Sequence, residues 1–289
     1  MSFEVIDLKQ GSSEWLDFRK NHIGASEAPI IMGVSPWTTP YGLWQQKLGL
    51  VKDKDKSRAM QGGLDMEPFA RKRYEELCGM AVEPVVLKSK KYSFMIASLD
   101  GISKDERIVE IKCPGDKDHE MAKHGTVPKK YLFQLLQQMV VTGQDRVDYF
   151  SYRSDDDCII VPVLLDSLRD QIDELVEREQ RFWECLQNLE EPALADSDIQ
   201  HNDSLEWMLT AGEYLDVKEQ LKILEKKEAD CREKLLALSS GVNSQGGGVI
   251  LTQHVRKGSV DYSKIPELKG LDLEPYRKSP SSYWKIREG

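Results

Sequence analysis

Three residues whose types and spacing could support phosphodiester chemistry lie within residues 94–113. Asp100 ends one apolar run, and Glu110 and Lys112 lie two residues apart in the next. Residues two apart in a strand project from the same face, and a short turn between the strands brings Asp100 beside them. Two carboxylates at such a corner suit Mg²⁺, with the backbone carbonyl of Ile111 as a further oxygen ligand. Lys112 could orient or deprotonate a metal-bound water, so the set predicts a metal-assisted phosphodiester hydrolase.

The bare pattern of Asp followed by Glu-x-Lys has little diagnostic value by itself. Glu-x-Lys occurs at Glu110, Glu225 and Glu267, and chance alone yields about two full matches over the permitted spacings. Context separates the three, because only Glu110 lies in an apolar strand directly after a strand that ends in Asp-Gly. The alternative interpretation of this hairpin is an exposed sheet edge with solvated charges.

An α/β fold is expected to position these residues. Five runs rich in Val, Ile, Tyr and Phe predict strands, and three segments with helical periodicity predict helices around them. The predicted strands are 82–87, 94–99, 107–112, 146–152 and 158–163, and the predicted helices are 64–78, 129–142 and 166–189. We therefore expect a first domain at residues 1–198 built on a central mixed sheet of about five strands flanked by helices.

The character of the chain changes after Glu191-Pro192, and residues 199–289 form a predicted C-terminal extension. Positions at steps of three and four between 207 and 238 are mostly apolar, which predicts a long amphipathic helix over about 203–239. We expect this stripe to pack in an antiparallel helix pair or on the first domain. Thr210 and Glu228 interrupt it and make an intermolecular coiled coil the less favoured arrangement. A linker at 241–248 and a short β-like tail, at 249–255 and 276–286, are expected to follow.

Charge and cysteine content exclude several classes of protein. The 289 residues carry 40 basic and 49 acidic side chains, a net charge of −9, which argues against a nucleic-acid coat protein. Residues 1–198 carry 26 basic and 35 acidic residues, so the acidity lies where the metal-binding carboxylates are expected. The five cysteines are scattered, which argues against a disulfide framework or a zinc ribbon and suits a reducing cytosol.

Signals for export, membrane insertion and nucleotide binding are absent from the sequence. The N-terminal residues lack the basic and apolar regions of a signal peptide. No run approaches the roughly 18 apolar residues of a membrane span. No P-loop pattern occurs, so ATP is not expected as a cofactor. The expected location is the cytoplasm.

The catalytic segment resembles that of a known superfamily. Ser-Leu-Asp-Gly followed by Glu-Ile-Lys-Cys-Pro is similar to the PD-(D/E)XK nucleases, in the branch that contains lambda exonuclease and the YqaJ-type viral recombinases. The surrounding words EWLDFRKNHIGASEAPIIMGVSPWTTPYGLW, GLDMEPFARKRYEE and HGTVPKKYLFQLLQQMVVTG fit the same branch in the same order. The resemblance covers about residues 10–190 and implies a restriction-endonuclease-like core.

The resemblance assigns roles in a metal site. Asp100 and Glu110 match the metal-binding pair, Lys112 matches the catalytic lysine, and the Ile111 carbonyl completes the ligands. Glu67 matches the family's helical carboxylate, a metal ligand or near-ligand, although its sequence context alone indicates a solvated helix charge. The implied cofactor is Mg²⁺, for which Mn²⁺ can substitute.

The resemblance also assigns residues that hold DNA. Arg19 and Ser26 match the pair that binds a terminal 5′-phosphate, and a guanidinium with a hydroxyl near a helix start is chemically suited to that group. Gln134 matches a glutamine on the helix that lines the active site. Leu136 stands where the family often has a second glutamine, so the role of this helix is left open.

The function implied is a metal-dependent 5′→3′ exonuclease that acts on double-stranded DNA ends. It would leave 3′ single-stranded overhangs for phage-type homologous recombination by strand annealing. Relatives form a ring-shaped trimer and work beside a single-strand-annealing protein, so a homo-oligomer and such a partner are expected. The alternatives are a nuclease of the same superfamily with other polarity or endonucleolytic action, and a non-catalytic DNA-recombination scaffold.

Overall fold

The computed structural model describes residues 2–52 and 58–268, together with positions 271, 276, 278, 283 and 286. Two compact units divide between Ile199 and Gln200. The first has an α/β architecture and contains every residue to which a role in the nuclease site was assigned. The second is dominated by one long helix.

Seven strands of the described chain form one mixed sheet in the first unit. They are β1 (Phe3–Ile6), β2 (Ile23–Gly24), β3 (Glu83–Ser89), β4 (Met95–Ile102), β5 (Ile108–Lys112), β6 (Arg146–Ser154) and β7 (Asp157–Leu164). Their order is β1-β3-β4-β5-β6-β7, with β2 parallel to the start of β4. Only β5 and β6 are parallel neighbours along the path, which is otherwise antiparallel. The predicted fold class is confirmed, and β3 to β7 are the five predicted strands.

Helices cover both faces of the sheet. They are α1 (Ser13–Lys20), α2 (Ala28–Ile31), α3 (Pro40–Lys47), α4 (Arg58–Cys78), α5 (Asp116–Lys123), α6 (Lys129–Thr142) and α7 (Arg169–Asn188). α6 has the predicted bounds. It ends at Thr142 because Gly143 follows at φ +74°, a left-handed conformation that ends a helix and favours glycine. Its buried residues include Leu135, Leu136 and Met139, which fix it against the sheet.

Alternating residues of β5 face two different cores. Ile108 belongs to the larger core, which also contains residues of α6 and α7, whereas Val109 packs with Tyr74 of α4 in a smaller core. By the same alternation, Glu110 and Lys112 lie on the face of Ile108. The central strand therefore directs its two polar side chains toward α6.

A buried histidine fixes α5 to the end of the sheet. Nδ1 of His119 lies 2.7 Å from Oγ of Ser151 on β6, and Nε2 lies 3.0 Å from Oδ1 of Asp157 on β7. His119 and Ser151 have no solvent exposure. This Ser-His-Asp chain is therefore closed to substrate and serves to anchor the helix.

The second unit contains α8 (Leu205–Ser239) and a hairpin of β8 (Ser244–Gly246) and β9 (Val249–Leu251). Oγ of Ser204 caps α8 by accepting a hydrogen bond from the N–H of Trp207 at 3.3 Å. The helix prediction over about 203–239 agrees with these bounds. The linker prediction for 241–248 was wrong in part, because β8 lies inside that segment. The tail prediction at 276–286 falls mostly outside the described residues.

The apolar stripe of α8 is exposed to solvent. Leu221 and Leu224 are 54% and 59% exposed, and Leu238 is 81% exposed. The expected antiparallel helix pair is wrong for the described part of this unit, because α8 is one continuous helix. The alternative, packing on the first domain, stays a prediction. No helix among the described residues has both the length and the apolar character that a membrane span requires.

Candidate active site

A β-bulge brings the two predicted metal-binding carboxylates together. Between Leu99 and Ile102, β4 contains one more residue than the facing part of β3. Such an insertion redirects side chains and is common beside active sites. Beyond it, the antiparallel register of β4 with β5 makes Asp100 the neighbour of Glu110. Oδ2 of Asp100 accepts a hydrogen bond from the N–H of Ile111 at 2.8 Å, which fixes the carboxylate at this corner.

The bulge also explains the glycine that follows Asp100. A Cβ atom at Gly101 would lie 2.6 Å from the side chain of Val82 and 2.8 Å from that of Val109. These separations are too short for any side chain, because both valines pack in the core beneath the sheet. In the Asp-Gly pair, Asp100 is the predicted metal ligand, and Gly101 is required because no side chain fits there.

Glu110 is the most enclosed acidic group of the site, with 1% of its surface exposed. Oε1 accepts hydrogen bonds from Nζ of Lys112 and from Nε2 of Gln134. Oε2 accepts one from Nε2 of Gln138. Every one of these partners donates, so both oxygens of the Glu110 carboxylate act as acceptors. The alternative of an exposed edge with solvated charges is wrong for Glu110.

Asp100 lies in an environment that opposes its ionisation. Burial raises its pKa well above the usual range, and the negative charges of Glu110 and Glu67 raise it further. The charge of Lys112 and the N–H of Ile111 act in the opposite direction but do not outweigh these effects. A bound cation would remove this conflict, which is the electrostatic signature of a cation site.

Lys112 is the one cation in direct contact with Glu110 among the described residues. Burial alone would lower the pKa of Lys112, but the charges of Glu110 and Asp100 outweigh it and raise that pKa above its ordinary value. Nζ also lies 5.5 Å from the ring centre of Tyr131 on α6. The ammonium therefore keeps its proton and is held as a hydrogen-bond donor at the edge of the site.

Glu67 approaches the site through an arginine. It forms an ion pair with Arg71 one turn later on α4, and Nε of Arg71 donates to the backbone carbonyl of Asp100 at 2.8 Å. About a quarter of the Glu67 side chain is exposed. Glu67 is thus close enough to influence Asp100 electrostatically, but its carboxylate is turned toward Arg71.

These oxygen donors suit a hard divalent cation. Among the described residues, no three His, Cys, Asp or Glu side chains lie together as a complete metal site. The two carboxylates of Asp100 and Glu110, with the carbonyl of Ile111, still provide the oxygen-only chemistry that Mg²⁺ and Mn²⁺ prefer.

α6 connects this centre to the neighbouring strands. The structure places Gln134 against Glu110, and Gln138, one turn later, joins it on the same face. Gln137 instead donates to the carbonyls of Ile23 and Ile96, at 2.8 and 3.2 Å. Leu136 is fully buried in the core. In this chain, Gln138 therefore provides a second amide to Glu110, and Leu136 cannot reach the site.

A second polar cluster surrounds Arg19. Nη2 of Arg19 donates to Oγ of Ser26 at 3.0 Å and to Oε1 of Glu27 at 3.1 Å. The guanidinium also lies over the ring of Trp15, with 4.9 Å between its carbon and the ring centre. The predicted pair of Arg19 and Ser26 is therefore brought into direct contact, and 27% of the Arg19 side chain is exposed.

Glu27 and Lys47 support this cluster from beneath. Oε2 of Glu27 accepts from the N–H of Gly24 at 2.9 Å and forms an ion pair with Nζ of Lys47 at 2.8 Å. Nζ of Lys47 also donates to the carbonyls of Arg19 and His22, at 3.0 and 2.6 Å. Burial would raise the pKa of Glu27, but Lys47 and Arg19 outweigh it and hold that pKa below its usual value.

Several of these supporting residues were not predicted. Gln138 lies four residues after Gln134, and Arg71 lies four residues after Glu67, so helical periodicity could have placed each beside its partner. Glu27 directly follows Ser26 and could have been suspected from that position. Lys47 has no local signal, because it reaches the cluster from a different helix.

Aromatic and basic side chains line one approach to the site. Nζ of Lys130 lies 5.4 Å from the ring centre of Trp37 and 5.1 Å from that of Tyr131. Tyr131 in turn contacts Lys112. Trp37 is 60% exposed. This series leads from an exposed indole to Lys112.

Comparison with known proteins identifies the domain that carries the site. Residues 14–145 match the YqaJ-like viral recombinase domain. The uncharacterized protein YqaJ of Bacillus subtilis (strain 168) is 31% identical over 143 residues, which are 48% of this chain and 45% of that relative. The chain therefore spans less than half the length of this curated relative.

The fold is similar to that of a solved exonuclease. LHK-Exo, an alkaline exonuclease from Laribacter hongkongensis, is 26% identical, with a TM-score of 0.52 alone and 0.53 in complex with dAMP. Each comparison covers 62% of this chain and 96% of LHK-Exo. The first unit thus has a PD-(D/E)XK-type fold, and its residues 14–145 are similar to the YqaJ-like viral recombinase domain.

Proposed function

We propose that this protein is a metal-dependent deoxyribonuclease that degrades double-stranded DNA from its 5′ ends and leaves 3′ single strands. The observation that carries the proposal is the buried carboxylate of Glu110, held by Lys112 and two amides of α6 beside the electrostatically disfavoured Asp100. Such clustered, perturbed groups at the end of a sheet are typical of catalytic sites. The similarity to an alkaline exonuclease supports the same reaction class.

Asp100, Glu110 and the Ile111 carbonyl would hold Mg²⁺, or Mn²⁺ in its place. The cation would neutralise phosphate charge and lower the pKa of a bound water. Glu67 would assist in binding the metal once its carboxylate releases Arg71 and turns toward the metal site. Lys112, which carries its proton, would orient the attacking water and donate a hydrogen bond to the phosphate oxygens. Gln134 and Gln138 keep Glu110 in place during this step.

Arg19 and Ser26 would hold the terminal 5′-phosphate and so determine the polarity. The guanidinium offers N–H donors in a planar fork, which matches the geometry of a phosphate group. Lys47 adds a buried positive charge beneath the pair. LHK-Exo has been solved with dAMP, a nucleoside 5′-monophosphate, and such a product is expected when each cleavage leaves a new 5′-phosphate.

Trp37, Lys130 and Tyr131 would contact the DNA beside the cleavage point. Exposed aromatic rings stack on bases, and adjacent lysines neutralise backbone phosphates. Movement along the strand would be driven by hydrolysis, because no ATP site is proposed. The proposed assembly is a homo-oligomer that encloses the duplex, and the resemblance implies a trimer. The proposed partner is a single-strand-annealing protein, and the proposed location is a bacterial cytoplasm.

Digestion of a linear duplex with either a 5′-phosphate or a 5′-hydroxyl end tests the polarity. In separate substrates the label lies near the 5′ end or near the 3′ end of a strand, so that loss from each end is followed separately. We expect loss from 5′ ends only and a preference of at least tenfold for the phosphorylated end. The variant Arg19→Gln should lose this preference, whereas Lys20→Gln, an exposed neighbour on the same helix, should retain it.

Other results would support the alternative functions. Loss from 3′ ends, or cleavage of closed circular duplex, would replace the exonuclease proposal with a nuclease of different action. DNA binding without hydrolysis in Mg²⁺ or Mn²⁺ would indicate a recombination scaffold.

A further inference from the structure

The exposed stripe of α8 has the properties of a self-association surface. Its apolar members recur at the first and fourth positions of a seven-residue repeat and include Leu221, Leu224, Leu235 and Leu238, all more than 40% exposed. The stripe from 207 to 238 has 32 residues, or about 48 Å of helix at 1.5 Å per residue. An apolar strip of that length, interrupted only at Thr210 and Glu228, is unfavourable in water and indicates a partner helix.

The charges of α8 indicate which partner and which direction. Residues 205–221 carry four acidic residues and one basic residue, whereas residues 222–239 carry five basic and four acidic residues. Two copies placed antiparallel bring the acidic end of one beside the basic end of the other. A parallel pair would set like ends together. The helix is therefore complementary to a reversed copy of itself.

One antiparallel register agrees with both interruptions of the stripe. It places Leu221 opposite Leu224 of the second copy, and Glu228 opposite Val217. The methylene groups of Glu228 can then cover the valine while the carboxylate reaches the solvent at the edge. In a parallel pair Glu228 would meet Glu228, and two buried like charges are destabilising. Thr210 would lie opposite Leu235.

The flanking positions agree with the same register. Glu213 of each copy would face Lys234 of the other, so that this ion pair forms twice. The parallel alternative would place Glu213 beside Lys218, which is attractive, but also Lys227 beside Arg232, which is repulsive, so its flanking charges cancel. We infer that α8 forms an antiparallel two-helix coiled coil with α8 of a second copy of this chain. The inference does not depend on the proposed nuclease function.

Disulfide trapping in the full chain tests the direction of the helices. Native Cys231 lies in the stripe and is exposed. In the proposed register Cys231 faces Tyr214 of the second copy. The two Cys231 residues are offset by 17 positions along the helices, a separation of about 25 Å. That separation is far beyond the reach of a disulfide. Tyr214→Cys should therefore give a dimer linked between positions 214 and 231 under mild oxidation, identified by peptide mapping. The matched variant Leu209→Cys, on another face, should not.

Charge reversal and stripe disruption test the surface energetically. Glu213→Lys or Lys234→Glu alone should weaken self-association about three- to tenfold, because each removes two ion pairs. The double reversal should restore it to within about twofold of wild type. Leu221→Glu combined with Leu224→Glu should weaken it at least 100-fold, whereas Ile223→Glu, equally exposed but off the stripe, should have little effect. The pairing that α8 contributes is measured by sedimentation as the additional association of wild type over Leu221→Glu/Leu224→Glu, because a ring formed by the first unit would be common to both. Circular dichroism is the folding control.

Three results would overturn the inference. A disulfide between two Cys231 residues would show a parallel pair. A double reversal that fails to restore association would exclude the pairing of Glu213 with Lys234. The third result is that the stripe variants self-associate as wild type does, or that no 214–231 link forms. Another protein would then be the occupant of the stripe.

Discussion

Glu27 provides a quantitative test of the proposed phosphate pocket. Its carboxylate accepts from Arg19, Lys47 and the N–H of Gly24, and only 5% of the Lys47 side chain is exposed. Removing one partner of a buried ion pair generally costs about 3–5 kcal/mol, because the remaining charge is uncompensated. Glu27→Ala should therefore lower the free energy of unfolding by that amount. Glu27→Gln, which keeps one acceptor oxygen, should lower it by about 2 kcal/mol.

The effect of Glu27 depends on pH with a definite sign. Because its pKa is held below the usual 4.5 in the folded protein, its charge stabilises the fold above that value. This stabilisation is lost as the pH falls through the lower folded-state pKa. The difference between wild type and Glu27→Gln should therefore be full at pH 7 and shrink below pH 4.

Urea unfolding followed by far-ultraviolet circular dichroism measures these differences. Glu14→Gln, an exposed change on α1, serves as the control and should be neutral within about 0.5 kcal/mol. The double variant Glu27→Gln/Lys47→Met should recover much of the stability lost by Glu27→Gln, because both charges are then absent. A Glu27→Gln protein as stable as wild type, or a double variant no more stable than the single one, would refute this account of the pocket.

Three further predictions follow from particular contacts. Asp100→Asn should raise the thermal midpoint in EDTA at pH 8, because burial and the charges of Glu110 and Glu67 raise the pKa of Asp100 in the folded state; the gain should vanish below pH 4, where the carboxyl is protonated in both states. An unchanged or lower midpoint at pH 8 would contradict this. Trp37→Ala should weaken binding of single-stranded DNA about tenfold in a fluorescence anisotropy titration, as expected for loss of one stacking contact, and unchanged binding would remove Trp37 from the interface. Leu136→Gln should lower the free energy of unfolding by about 2–4 kcal/mol, because it buries an amide without partners; a neutral effect in urea unfolding would show that this position can reach the polar site.

The grouping of Asp100, Glu110 and Lys112 at one corner of the sheet could be predicted from sequence because its signals are local. Glu110 and Lys112 share a face by strand periodicity, and the Asp-Gly pair marks the end of β4. The β-bulge that sets Asp100 opposite Glu110 has no equivalent signal, because it depends on how β3 pairs with β4. The short strands β1 and β2 were missed for the same reason, since each is defined by its neighbour.

The support of the phosphate pocket could not be predicted from local patterns. Lys47 contacts Glu27 across 20 positions of sequence, and its burial depends on the packing of α3 against the segment that follows α1. The stripe of α8 was predicted in place and length, but its exposure was not. Periodicity identifies an apolar face and does not reveal whether the same chain covers it.

The most direct test of the catalytic centre is digestion of an end-labelled linear duplex in Mg²⁺, Ca²⁺ or EDTA by wild type and by Glu110→Gln. Glu76→Gln, an exposed change on α4, is the matched control. We predict hydrolysis in Mg²⁺ only, a loss of at least 1,000-fold in Glu110→Gln with retained circular dichroism, and full activity in Glu76→Gln. Hydrolysis in EDTA, or full activity of Glu110→Gln, would contradict the assignment of this site.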